Sequence, residues 1–112
     1  MSTRFLHHFF EPRSVAVFGA SEKPESLGGL VLGNLQDGQF RGKLWAVNLK
    51  GYEKVFGVDC VRTVEELPDI PDLAVVCSPI EGVPRLIKKL GKYGVKAALV
   101  LSGGAYLDRE EG

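Results

Sequence analysis

Ser14-Val15-Ala16-Val17-Phe18-Gly19-Ala20-Ser21 is the segment from which the rest of the chain can be placed. Five uncharged residues, mostly small, β-branched or aromatic, run up to a glycine. A strand with one wet face alternates apolar and polar side chains, so a run of this kind suits a strand covered on both faces. Leu73-Ala74-Val75-Val76-Cys77 repeats the pattern most clearly, and Leu44 to Val47 and Lys96 to Leu101 repeat it again. Gly57 to Val61 reads as a shorter strand.

Helical periodicity fills the gaps. Ser26 to Leu35 places Leu27, Leu30, Val31 and Leu35 at helical spacing behind Ser26 as N-cap, and Asp37-Gly38 supplies the stop. Thr63-Val64-Glu65-Glu66 fits a capping box for one or two turns before Pro68. Between Ser78 and Gly94 an amphipathic helix carries Val83, Leu86, Ile87 and Leu90 on one face, with Arg85, Lys88, Lys89 and Lys92 largely on the other. Pro84 would clash with a turn already formed, so the regular helix starts near Gly82 or Val83, and Gly94 caps its end. Strands alternating with helices predict an α/β fold: a doubly wound parallel sheet with right-handed crossovers and helices on both faces. In such sheets ligands bind at the carboxyl ends of the strands, where the strand order switches.

A length of 112 residues fits a single domain with one core. Fourteen Lys+Arg against fourteen Asp+Glu, with no basic block, leave no stripe for neutralising duplex phosphates, so bulk nucleic-acid binding is not expected. No apolar run approaches the roughly 20 residues needed to cross a bilayer, and no apolar signal core follows Arg4; the expectation is a soluble cytoplasmic protein. Cys60 and Cys77 are the only cysteines, 17 positions apart, which gives neither a CxxC redox pair nor a four-ligand zinc site.

Four strand ends then carry the candidate chemistry. Gly19-Ala20-Ser21 offers a tight turn, backbone N–H groups and a hydroxyl at the start of a helix, a suitable place for phosphate oxygens. It is not a GxGxxG: Ser21 and Pro24 stand where glycines would, and Gly28-Gly29 come too late. Gly19 as a plain turn and Ser21 as a plain cap fit equally. The second end reads Val47-Asn48-Leu49-Lys50 where a nicotinamide-dinucleotide site places Asp or Glu to accept from the ribose hydroxyls. Lys50 cannot accept a ribose proton; it would neutralise a phosphate on that ribose, or it is an ordinary solvated lysine. Ser78 and Pro79 at the third end can flank an adenine or a pantetheine amide, though Ser78 also suits a helix cap. Ser102-Gly103-Gly104 at the fourth lets a ligand approach the backbone, or is an exit loop.

Taken together, Phe10 to Ser21, Gly28-Gly29, Asn34-Leu35, Gly42-Lys43, Val47-Asn48 with Lys50, Gly57-Val58, Glu66-Leu67-Pro68, Pro71 to Val76 and Gly94 to Ala98 resemble the N-terminal CoA-binding domain of NDP-forming acyl-CoA synthetases. That domain is similar to the succinyl-CoA synthetase α subunit, and it also heads bacterial lysine acetyltransferases that carry a GNAT domain. Asp72 to Ser78 look a little closer to the latter branch. The resemblance covers residues 5 to about 107. It implies a Rossmann-like domain over residues 1–112 that lacks its last helix and strand. CoA or acyl-CoA would lie with Gly19, Ala20 and Ser21 at its phosphates and Lys50 near the nucleotide phosphates. Ser78 and Pro79 would lie beside the adenine, and Ser102 and Gly103 beside the pantetheine arm. The chain departs from the family at Leu49, where Asn-Pro-Lys is usual.

In the ligases of that family a phosphohistidine in a later domain carries the reaction. His7 and His8 precede the first strand and cannot serve, Glu22 reads as a solvated loop carboxylate, and no catalytic residue or metal site is expected. The expected function is to hold CoA while other domains or subunits of a synthetase or acetyltransferase do the chemistry. An NAD(H)-binding redox or sensor domain is the alternative, since the architecture is shared, and a ligand-free assembly domain is a third. With an edge strand and helix missing, self-association stays open.

Overall fold

Eight elements of regular structure follow one another in the computed structural model, which describes residues 11–23, 26–38 and 40–101. They are β1 (Ser14–Phe18), α1 (Leu27–Asp37), β2 (Lys43–Val47), β3 (Lys54–Val55), β4 (Val58–Val61), β5 (Leu73–Val76), α2 (Val83–Tyr93) and β6 (Ala97–Val100). Short 3-10 turns at Val64–Glu66 and Ile80–Gly82 complete them. The sheet order is β3-β4-β2-β1-β5-β6, parallel throughout except for the β3–β4 pair. The expected doubly wound sheet is therefore present, and its order reverses at β1, which pairs with β2 on one side and β5 on the other.

All five residues of β1 are buried, and their alternation divides the core into two layers. Val15 and Val17 pack with Leu32 of α1, with Val31 and Leu35 against the same layer. Ala16 and Phe18 face the other way, onto Trp45, Val47, Val64 and Leu90 of α2. One helix covers each face, and the apolar stripe expected of α2 is the one that packs.

Local signals held at most helix ends. The Ser26 hydroxyl accepts from the Gly29 N–H at 3.0 Å and caps α1. Pro84 falls in the first turn of α2, where a missing N–H costs nothing. Gly94 ends α2 at φ 109°, in the left-handed region. The capping box at Thr63 is a correction: its side chain makes no cap bond to the turn, and the Glu66 carboxylate accepts from the Arg62 N–H at 2.9 Å instead. A second correction concerns Gly57 to Val61. The strand begins at Val58 and has an antiparallel partner, β3, joined through Phe56 and Gly57 at φ 51° and 80°. Two positive φ values make this a primed hairpin turn, which usually announces itself as Asn-Gly. Here the unusual residue is held from outside: the Phe56 N–H donates to Glu22 at 2.9 Å, and Gln36 donates to the Phe56 carbonyl at 3.0 Å.

Among the described residues, no helix is long and apolar enough to cross a membrane.

Candidate functional site

Gly19 leaves β1 at φ 86°, with its missing side chain directed at β5: a Cβ there would stand 2.9 Å from the Cys77 carbonyl oxygen. A left-handed turn that tight needs glycine. Its N–H donates to the Val47 carbonyl at 2.9 Å, so the turn is locked to β2 as well. The start of α1 presses on the same turn. A Cβ on Gly28 would lie 2.3 Å from the Gly19 carbonyl oxygen, and one on Gly29 would lie 2.6 Å from that of Ser21. Gly28 and Gly29, displaced from the usual fingerprint spacing by the long loop, let the helix approach the turn as closely as a fingerprint glycine would.

The end of β2 is fixed by one side chain. Asn48 donates from Nδ2 to the Ala20 carbonyl at 2.7 Å, and its Oδ1 accepts from the Lys50 N–H at 2.8 Å. It thereby ties the β1 loop to the β2 loop and sets the backbone from which Lys50 projects. Just past the neighbouring β4 comes Arg62, whose guanidinium lies over Gly51: a Cβ on Gly51 would come within 2.7 Å of Nη2.

These ends enclose a cleft of about 640 Å³ on the α2 side of the sheet, at the switch in strand order. Phe18, Val47, Val64, Pro79 and Leu86 give it an apolar lining. Lys50 and Arg62 come from strand ends and Arg85 and Lys89 from successive turns of α2, and among the described residues no carboxylate lines it. Lys89 is paired at 3.1 Å with Glu65 just outside, whose carboxyl is held below its ordinary value by its own backbone N–H first and by Lys89 second. Among the described residues, Lys50, Arg62 and Arg85 have no ion-pair partner. A chain of zero formal net charge thus gathers four cations around one hollow, which suits a flat apolar group bearing separated negative charges.

Cys77 also lines the cleft, and burial pushes its thiol up to about 11. At neutral pH it is protonated and a poor nucleophile. Burial raises Cys60 as well. Among the described residues, no group of three His, Cys, Asp or Glu side chains can hold a metal ion.

The family profile described as "CoA binding domain" matches residues 13–111. The chain belongs to this CoA-binding domain family. Similar proteins include an ADP-forming acetate–CoA ligase of Methanocaldococcus jannaschii, 37% identical over 88% of this chain and 14% of that one. The α subunit of an ADP-forming acetate–CoA ligase I of Pyrococcus furiosus is 38% identical over 96% of this chain and 24% of that subunit. Among solved structures, acetyl-coenzyme A synthetase 1 of Candidatus Korarchaeum cryptofilum, in complex with phosphate and ADP, superposes with a TM-score of 0.81 at 36% identity, over 87% of this chain and 21% of that one. The chain therefore spans about a quarter or less of the length of the relatives described.

Within this CoA-binding domain the residues expected at the ligand separate into three groups. Gly19, Lys50, Ser78 and Pro79 line the cleft together. Ala20 is fully buried and does not line it, while Ser21 borders a separate hollow with Glu22, Lys23, Tyr52 and Lys54, its hydroxyl accepting from the Lys23 N–H at 3.1 Å. Ser102 and Gly103 lie outside the described residues, as do His7 and His8. Ser78 is not the cap of α2, which falls at Gly82. Glu22 is turned to the hairpin rather than toward the cleft. Sequence reasoning missed Arg62, Arg85 and Lys89 as cleft residues. Arg62 carried the same signal as Lys50, a cation just past a strand end, and Arg85 and Lys89 stand four apart at the start of a helix that leaves the crevice.

Proposed function

We propose that this domain holds the adenosine end of CoA or acyl-CoA in the cleft, with the base against the apolar lining and the phosphates among the cations. Gly19 would present the β1 loop to the diphosphate, with Ala20 and Ser21 shaping that loop from outside the cleft, while Lys50 would meet the ribose phosphate and Ser78 and Pro79 the edge of the base. Ser102 and Gly103 would follow the pantetheine arm. The observation that carries this reading is the cationic rim over an apolar floor, with no carboxylate among the described lining residues, at the point where a dinucleotide site would need an acid. The same observation disfavours NAD(H), whose ribose hydroxyls would meet Lys50.

The relatives are ADP-forming ligases several times longer, which supports a role as the CoA-holding part of such a ligase, with other domains or subunits performing acyl and phosphoryl transfer. A cytoplasmic site fits two free thiols, Cys60 and Cys77, and subcellular fractionation tests it.

Calorimetric titration of the 112-residue chain with CoA, acetyl-CoA and NAD decides the matter. Binding of both CoA species with NAD at least tenfold weaker is the expected result, the tenfold corresponding to about 1.4 kcal/mol. NAD binding as tightly as CoA, or no heat with CoA, refutes the proposal.

A further inference from the structure

Arg62 is placed with unusual care for an exposed side chain. Its guanidinium lies on Gly51, at a distance only a residue without Cβ permits, and Gly51 itself sits at φ 80°. Glu66, four residues on, accepts from the Arg62 backbone N–H at 2.9 Å. On the adjoining loop, Lys50 projects from a backbone fixed by Asn48. The two loops are neighbours because β2 and β4 pair in parallel and the Asn48 N–H donates to the Val61 carbonyl at 2.9 Å. Both side chains line the cleft. Two cations on adjacent loops, with no carboxylate among the described residues of the cleft lining, repel each other, and an anion lodged between them relieves that repulsion.

Resting on the CoA reading above, we infer that Arg62 and Lys50 form one subsite for the phosphomonoester on the ligand's ribose, with Arg62 the specificity-determining member. A dianionic monoester offers three terminal oxygens, and the planar fork of a guanidinium can engage two of them at once while an ammonium adds a point charge. Arg85 and Lys89, on α2, belong to the opposite wall and remain for the diphosphate. A ligand lacking the ribose phosphate then loses the Arg62 contact and keeps the others.

The experiment compares CoA with dephospho-CoA on the wild-type chain, Arg62→Gln, Arg62→Lys and Arg85→Gln, by calorimetry. Wild type should prefer CoA. Arg62→Gln should weaken CoA about tenfold or more, as expected for loss of a charged hydrogen bond, and leave dephospho-CoA within about twofold. Arg62→Lys should recover part of the loss, and Arg85→Gln should weaken both ligands alike. Far-UV circular dichroism and the urea midpoint confirm that each variant is folded before its affinities are compared. Equal loss of both ligands in Arg62→Gln, as a stacking role against the base would give, overturns the assignment, and so does unchanged CoA affinity. If wild-type protein binds CoA and dephospho-CoA equally, the phosphate subsite fails while the CoA reading stands. If it binds neither, the CoA reading itself has failed.

Discussion

Helix α1 contains two glycines, Gly28 and Gly33, that general propensity treats alike and this structure separates. Replacing a helical glycine by alanine restrains the unfolded chain and favours the helix by up to about 1 kcal/mol. At Gly33 a Cβ meets nothing within 4 Å, so Gly33→Ala should gain about 0.5–1 kcal/mol. At Gly28 the Cβ would stand 2.3 Å from the Gly19 carbonyl oxygen, 2.8 Å from its carbon and 3.0 Å from the Ala20 Cα. All of these are backbone atoms, and the Gly19 turn is pinned from β2 and crowded by β5, so it cannot swing aside as a side-chain tip would. Overpacking typically costs about 1–3 kcal/mol, and backbone against backbone belongs at the upper end. After the helical gain, Gly28→Ala should lose about 2 kcal/mol. Urea unfolding followed by circular dichroism reads both. For an m-value of about 1–3 kcal/mol per molar, the Gly28→Ala midpoint should fall by about 1 M while the Gly33→Ala midpoint rises slightly, with m unchanged in both. Because Gly28 seats the helix on the turn that enters the cleft, CoA binding should weaken in Gly28→Ala alone. Equal or rising stability in Gly28→Ala would refute the close approach of α1, and with it this account of how the β1 loop is positioned.

Three further outcomes are expected. Gly19→Ala combines an αL penalty of about 1–2 kcal/mol with a Cβ crowding Cys77, and should lower the thermal midpoint by about 4–8 °C for each kcal/mol lost. Asn48→Ala removes two hydrogen bonds and should cost about 1–3 kcal/mol by urea titration while weakening CoA; unchanged CoA affinity would mean that the Lys50 loop holds its shape without Asn48. Cys77 has a folded pKa raised by burial above its unfolded value, so its contribution to stability is complete below about pH 9 and declines as pH rises toward 11. Iodoacetamide should accordingly label it slowly at pH 8 and faster near pH 10, with Cys77→Ala as the control that assigns the signal. Rapid labelling at pH 7 would contradict its burial.

What could be read in the sequence was whatever depends on neighbours along the chain. Val15 to Phe18 and Leu73 to Val76 are uninterrupted because central parallel strands are covered on both sides, and Pro84 and Gly94 mark the ends of α2 through their own backbone chemistry. The hairpin could not be read this way: β3 has two residues, and Phe56 is held in its turn by Glu22 and Gln36, 34 and 20 positions away. Of the site, Gly19 and Lys50 were legible because the strand-end rule names those places. Arg62 offered the same strand-end signal as Lys50 and was passed over, whereas Arg85 and the bridging role of Asn48 were not legible, since each depends on a pairing of strands or the seating of a helix that no local window contains. Gly28 was set aside because its spacing is wrong for the fingerprint, although the contact that the fingerprint glycine makes is present.

The two flanks of the sheet are finished differently. On one side, β3 is only two residues long, and its Lys54 is bound across the hairpin to Asp59 at 2.7 Å, a short charged border that discourages any strand from joining. On the other, β6 is four residues long, with Leu99 and Val100 still 45% and 39% exposed, and among the described strands nothing lies beyond it. Growth of this fold is therefore directional. A strand that pairs with β6 would lie on the far side of the central strands from the hairpin, and so away from the Lys50 and Arg62 loops.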